Sequence, residues 1–113
     1  MGIQVFGKSK CFDTKKALRF FKERGIKVQY VDIVEIGFSP REFDSVLKAL
    51  GGPDSMVNTS SKSPEYDLYR YLSSEREKED KLWDHPELIK TPIVRNGKQA
   101  AAGDAPEIWK TWI

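Results

Sequence analysis

The chain holds one cysteine, Cys11, and the residues around it are those best suited to chemistry. Thr14 follows three positions later, and Lys8, Lys10, Lys15 and Lys16 flank the pair. A thiol reacts as its thiolate, and an ordinary cysteine, with a pKa of about 8.5, is only slightly ionised at neutral pH. A downward shift of about 1.5 units, worth roughly 2 kcal/mol, would leave it near half ionised. Residues 3–6 read as a buried strand and the residues after Cys11 as a helix, which sets the thiol at a helix N-terminus. The first N–H groups of a helix have no intrahelical partner and carry partial positive charge. The lysines push in the same direction. The pattern suits a nucleophilic thiolate. The competing reading is a small buried apolar cysteine, against which stands the lysine-flanked, polar loop.

The elements that must position this thiol can be read in order. Ala17, Leu18, Phe20, Phe21 and Ile26 give the first helix its apolar side, and Gly25 suits its C-terminal cap. Residues 28–33 form a second strand, and strand, helix, strand within about 30 residues makes a βαβ unit with parallel strands and a right-handed crossover. Ser39-Pro40-Arg41-Glu42 carries a capping box with proline at the first helical position. Phe43, Val46, Leu47 and Leu50 recur at helical spacing until Gly51-Gly52-Pro53 ends the run. Residues 53–64 read as loop, followed by helices at about 64–72 and 75–83. The charged run from Glu75 to Lys81 is a solvated helix face. Asn96-Gly97 between strand-like runs predicts a hairpin with a type I′ turn, which needs positive φ at both positions. Asp104 then caps a last helix whose Trp109 and Trp112, at i and i+3, are core anchors. The order is β-α-β, a helical insertion at about 39–88, then β-β-α. That is a thioredoxin-like α/β fold with a four-stranded mixed sheet, expected to form a single domain over residues 1–113. Thr91-Pro92 precedes the third strand, where proline cannot donate a ladder hydrogen bond and a cis bond would be a specific device.

Composition narrows the function classes. A 39% hydrophobic fraction suffices for one core, and a net charge of +2 is too small to argue for direct nucleic-acid binding. One cysteine makes no internal disulfide, and no residue pattern resembles a metal site. The absence of a signal-like or membrane-spanning run, with a free thiol, leads us to expect a cytoplasmic protein. His85, the only histidine, reads as a surface or capping residue, and Arg95 as an exposed salt-bridge residue.

Taken together, the residues resemble the arsenate reductase-like family of thioredoxin-fold proteins, which also contains the Spx transcription regulators. Three pieces carry the resemblance: Phe6-Gly7 through Cys11 to Lys16-Ala17; Met56-Val57-Asn58-Thr59; and residues 88–95 with Gly103, Pro106 and Trp109 behind them. The resemblance implies a cis Pro92 facing the Cys11 loop. In arsenate reductases of this family one cysteine attacks arsenate, three arginines hold the oxyanion, and glutathione and glutaredoxin complete the cycle. The corresponding positions here are Asn58, Thr91 and Asp104. A planar guanidinium suits a tetrahedral oxyanion, so its loss at all three argues against arsenate as substrate. Spx proteins typically use a Cys-x-x-Cys switch, where this chain has Thr14. They bind the α subunit of RNA polymerase. A third group of small relatives resembles glutathione-dependent thiol reductases, and Cys11-Phe12-Asp13-Thr14-Lys15-Lys16-Ala17 fits that group best.

The expected activity is therefore a monothiol oxidoreductase in which Cys11 attacks a small disulfide or other electrophile. No cofactor is bound on this reading; glutathione is the co-substrate that resolves the mixed disulfide. Thr14 donates to the thiolate, while Lys8, Lys10 and Lys15 lower its pKa and attract an acidic thiol. Asn58, Thr91 and Pro92 shape the facing wall, with the Thr91 backbone free to pair with a peptide-like substrate. The alternative is a Spx-like regulatory module that binds RNA polymerase or another protein without turnover.

Overall fold

In a computed structural model, which describes residues 2–113, the element order is the expected one. Strand β1 (Ile3–Gly7) leads through the Cys11 loop to α1 (Phe12–Glu23), and β2 (Val28–Asp32) follows. Helix α2 (Pro40–Leu50) opens on the capping box: Ser39 Oγ accepts from the Glu42 N–H at 3.2 Å, and Glu42 accepts in return from the Ser39 N–H at 3.0 Å. Gly51, at φ +86°, closes it in a left-handed conformation that favours glycine. Helices α3 (Pro64–Arg70) and α4 (Glu75–Asp84) make up the rest of the insertion. Strands β3 (Ile93–Asn96) and β4 (Gln99–Ala102) and a short α5 (Pro106–Trp109) complete the fold.

The sheet runs β2-β1-β3-β4, with β1 parallel to β2 and antiparallel to β3, and β3 antiparallel to β4. Side chains alternate across β1, so it feeds two cores. Ile3 and Val5 pack with Phe20, Phe21 and Trp109 beneath α1 and α5. Phe6 packs on the other face with Phe38, Phe43, Val46 and Leu82, under α2 and α4. Among the described residues no helix is long and apolar enough to cross a membrane.

Four local expectations need correction. The hairpin loop is Gly97-Lys98, not Asn96-Gly97, because Asn96 pairs with Gln99 in the ladder. Only Gly97 has positive φ, at +62°, which matches the first position of a II′-type turn. Asp104 does not cap α5: Pro106 is already its first residue, the cap position is Ala105, and the Asp104 carboxylate meets Lys16 Nζ at 2.7 Å. Arg95 is no surface ion pair; it reaches under α2, donating to Ser45 Oγ at 3.1 Å and to Gln4 Oε1. Residues 53–64 are not all loop, since a 3-10 turn spans Pro53–Ser55 and Val57 makes a β-bridge to Ile89.

Candidate active site

Cys11 is the N-cap of α1, with extended backbone (φ −84°, ψ 121°), and its side chain is partly exposed. Its N–H donates to Lys8 O at 3.0 Å, closing the loop tightly, and its carbonyl accepts from the Lys15 N–H at 3.2 Å. The thiol sits 3.6 Å from the Thr91 carbonyl oxygen, so the neutral S–H donates across to the segment before Pro92. The Thr91–Pro92 peptide is cis.

Burial pushes the Cys11 pKa up, but hydrogen bonds from the side chains of Thr14 and Thr91 and the N–H groups of Thr14 and Asp13 outweigh it and hold the pKa below the ordinary value. The two protonation states thus have different partners. The thiol gives its proton to a carbonyl and caps no N–H of α1; the thiolate is favoured by two hydroxyls and two helix N–H groups.

Thr14 is buried because of Gly7. A Cβ on residue 7 would lie 2.3 Å from Thr14 Cγ2 and 2.6 Å from its Oγ1. The missing side chain lets the first turn of α1 close on the end of β1, where the Lys8 N–H also approaches Thr14 Oγ1 at 3.4 Å. Sequence reasoning did not find this role for Gly7; its one visible signal was a glycine ending an apolar strand.

The lysines divide into different roles. Lys10 and Lys15 are exposed. Lys16 is drawn away to Asp104 and stands 5.9 Å over the Phe12 ring. Lys8 is partly buried, and its ammonium donates to the carbonyls of Glu87 at 2.8 Å and Ile89 at 2.9 Å. Burial lowers its pKa, while the Cys11 thiolate and Glu87 favour its charge. Because that interaction is reciprocal, Lys8 also favours the thiolate, but less than the hydrogen bonds do. Of the helix-end donors and the lysines that the sequence offered, the hydroxyl and backbone donors contribute more to favouring the thiolate.

The facing wall comes from a strand-like pairing the sequence did not reveal. The Asn58 N–H donates to Leu88 O and the Lys90 N–H to Met56 O, both at 2.7 Å. The Asn58 side-chain oxygen accepts from the Ser60 N–H at 3.0 Å, and no hydrogen bond joins it to Cys11 among the described residues. Thr91 and Pro92 are brought to the thiol. His85, at the end of α4, lies between Glu65 at 3.4 Å and Glu87 at 3.1 Å, a capping position as expected.

The comparisons agree with this geometry. No family model matches the chain. Over 112 residues it is 28% identical to "Global transcriptional regulator Spx 2" of Oceanobacillus iheyensis, covering 91% of this chain and 77% of that one. It is 26% identical to the arsenate reductase of Haemophilus influenzae, covering 95% of each. The solved arsenate reductase of Vibrio cholerae superposes with a TM-score of 0.85 at 24% identity, over 100% of this chain and 98% of that one. The chain is similar to the arsenate reductase and Spx proteins. The chain has its cysteine at the head of α1. Asn58 is an amide locked in its own turn, Thr91 faces the thiol, and Asp104 pairs with Lys16.

Proposed function

We propose that the protein is a monothiol, glutathione-dependent thiol/disulfide oxidoreductase acting in a reducing, cytoplasmic setting. The observation that carries the reading is Cys11 itself: a partly exposed thiol at a helix N-terminus, with four donors that favour its ionised form. The Cys11 thiolate attacks one sulfur of a small disulfide, a new S–S bond forms at Cys11, and the other sulfur leaves as a thiolate. The chain contains no second cysteine to resolve this mixed disulfide, so a glutathione thiolate attacks it and expels the Cys11 thiolate. Glutathione supplies the electrons, and no cofactor is required.

Arsenate is not the substrate on this reading. Thr91 offers one hydroxyl where a bidentate guanidinium would be needed, and Asp104 is an acid already committed to Lys16. The test is glutathione-coupled reduction of hydroxyethyl disulfide by the wild type and by Cys11→Ser, with the mixed disulfide between Cys11 and the substrate thiol trapped and weighed. Turnover that disappears in the variant supports the reading; equal rates would overturn it.

The likeness to a protein named as a Spx regulator favours a second reading. There the chain binds a protein partner such as RNA polymerase, and Cys11 only reports redox state. Such binding would survive Cys11→Ser.

A further inference from the structure

Residues 87–90 approach the Cys11 loop as the end of a 3-10 turn (Pro86–Leu88) that runs into extended backbone at Ile89, and their polar groups are satisfied from two sides. On one side Leu88 O and the Lys90 N–H pair with Asn58 and Met56. The neighbouring carbonyls, Glu87 O and Ile89 O, take no part in that pairing, and among the described residues no strand pairs with them. A single side chain, the Lys8 ammonium, donates to both carbonyls, at 2.8 and 2.9 Å. Thr91, which contacts the Cys11 sulfur, is two residues beyond the second carbonyl. Lys8 itself is fixed on the Cys11 side of the gap: its carbonyl accepts from the Cys11 N–H and its own N–H approaches Thr14 Oγ1.

We propose that Lys8 is a positioning residue, a one-residue clamp that ties two backbone carbonyls and so holds the Thr91 segment against Cys11. It is not a binding group for substrate, since two of its three donors are committed to the clamp. Its action on the thiol passes mainly through Thr91, whose hydroxyl and carbonyl serve the two protonation states of Cys11. The inference rests on the proposed function only in taking Cys11 as the reacting atom. It separates Lys8 from Lys10 and Lys15, which have the same charge but no clamp.

The test compares Lys8→Met, Lys8→Arg and Lys10→Met. One readout is the pH profile of Cys11 alkylation by uncharged iodoacetamide. The other is hydrogen exchange at the Asn58 and Lys90 amides. Lys8→Met should slow alkylation at pH 7 by about threefold to tenfold, as expected for an inflection raised by about 0.5–1 unit, and should speed exchange at both amides. Lys8→Arg, which keeps charge and donors, should restore much of both, and Lys10→Met should leave alkylation within about twofold. If Lys8→Met fails to fold, Lys8→Gln, which keeps a donor for one carbonyl, is read the same way. A raised inflection with unchanged exchange would show direct charge action and overturn the clamp. Faster exchange with an unchanged inflection would reduce Lys8 to a structural tie and overturn it too. Neither readout uses turnover, so an inactive protein would defeat the proposed function while leaving the Lys8 result to stand or fall separately.

Discussion

Replacing Thr14 by valine removes one hydroxyl and keeps the shape that fills the space left by Gly7. Thr14 is 1% exposed, so no water takes the place of the lost group. A hydrogen bond to a charged partner is worth about 1.5–3 kcal/mol. The Cys11 sulfur is partly exposed and can recruit solvent, which reduces the net loss to about 1 kcal/mol, or about 0.7 pKa unit. The backbone donors of Asp13 and Thr14 and the Thr91 hydroxyl remain. The neutral thiol is untouched, because its bond goes to the Thr91 carbonyl. Thr14→Val should therefore raise the inflection of Cys11 alkylation and slow the reaction at pH 7 by about fivefold. Thr14→Ser, which restores the hydroxyl, should recover most of the rate. The assay is second-order labelling by iodoacetamide, followed by mass spectrometry between pH 5 and 10. If a folded Thr14→Val protein titrates like the wild type, the hydroxyl does not hold the thiolate, and the account of the site is wrong.

Two further outcomes follow from the same contacts. The folded Cys11 pKa is lowered, so the resulting stability is fully present above the unfolded pKa, about 8.5, and is lost as pH falls through the folded value. Urea midpoints of the wild type should gain on those of Cys11→Ser between pH 7 and 9, and an unchanged difference would contradict the lowered pKa. Gly7→Ala puts a methyl carbon 2.3 Å from Thr14 Cγ2. Relieving that overlap should cost about 1–3 kcal/mol in urea unfolding and should raise the alkylation inflection by moving Thr14 off the sulfur; a neutral effect on both would show that α1 has slack at its first turn.

What the sequence disclosed was local. The capping box at Ser39 and Glu42, the glycine stop at Gly51 and the cysteine at a helix start each depend on residues a few positions apart, and each stands where the spacing put it. The hairpin was placed correctly but shifted by one residue. Asn-Gly and Gly-X loops draw on the same residues, and the register that separates them is set by β3 pairing with both β1 and β4. The lysines around Cys11 show the limit more sharply. As a string they are equivalent charges, all set to favour a thiolate alongside the helix N-terminus. In the fold, one finds two backbone carbonyls nearly eighty positions away, one finds Asp104, and two remain in solvent.

The same division runs through the site. The half that creates the nucleophile, with Cys11, Thr14 and the first turn of α1, is contiguous in sequence and was legible there. The half that would recognise a substrate is the wall of Thr91 and Pro92, held by residues 56–58 on one edge and by Lys8 on the other. Its parts meet only after the sheet and the helical insertion have formed, so no local pattern announces them. The fold shared with a solved arsenate reductase therefore fixes where such a wall forms, while the side chains on it are this chain's own.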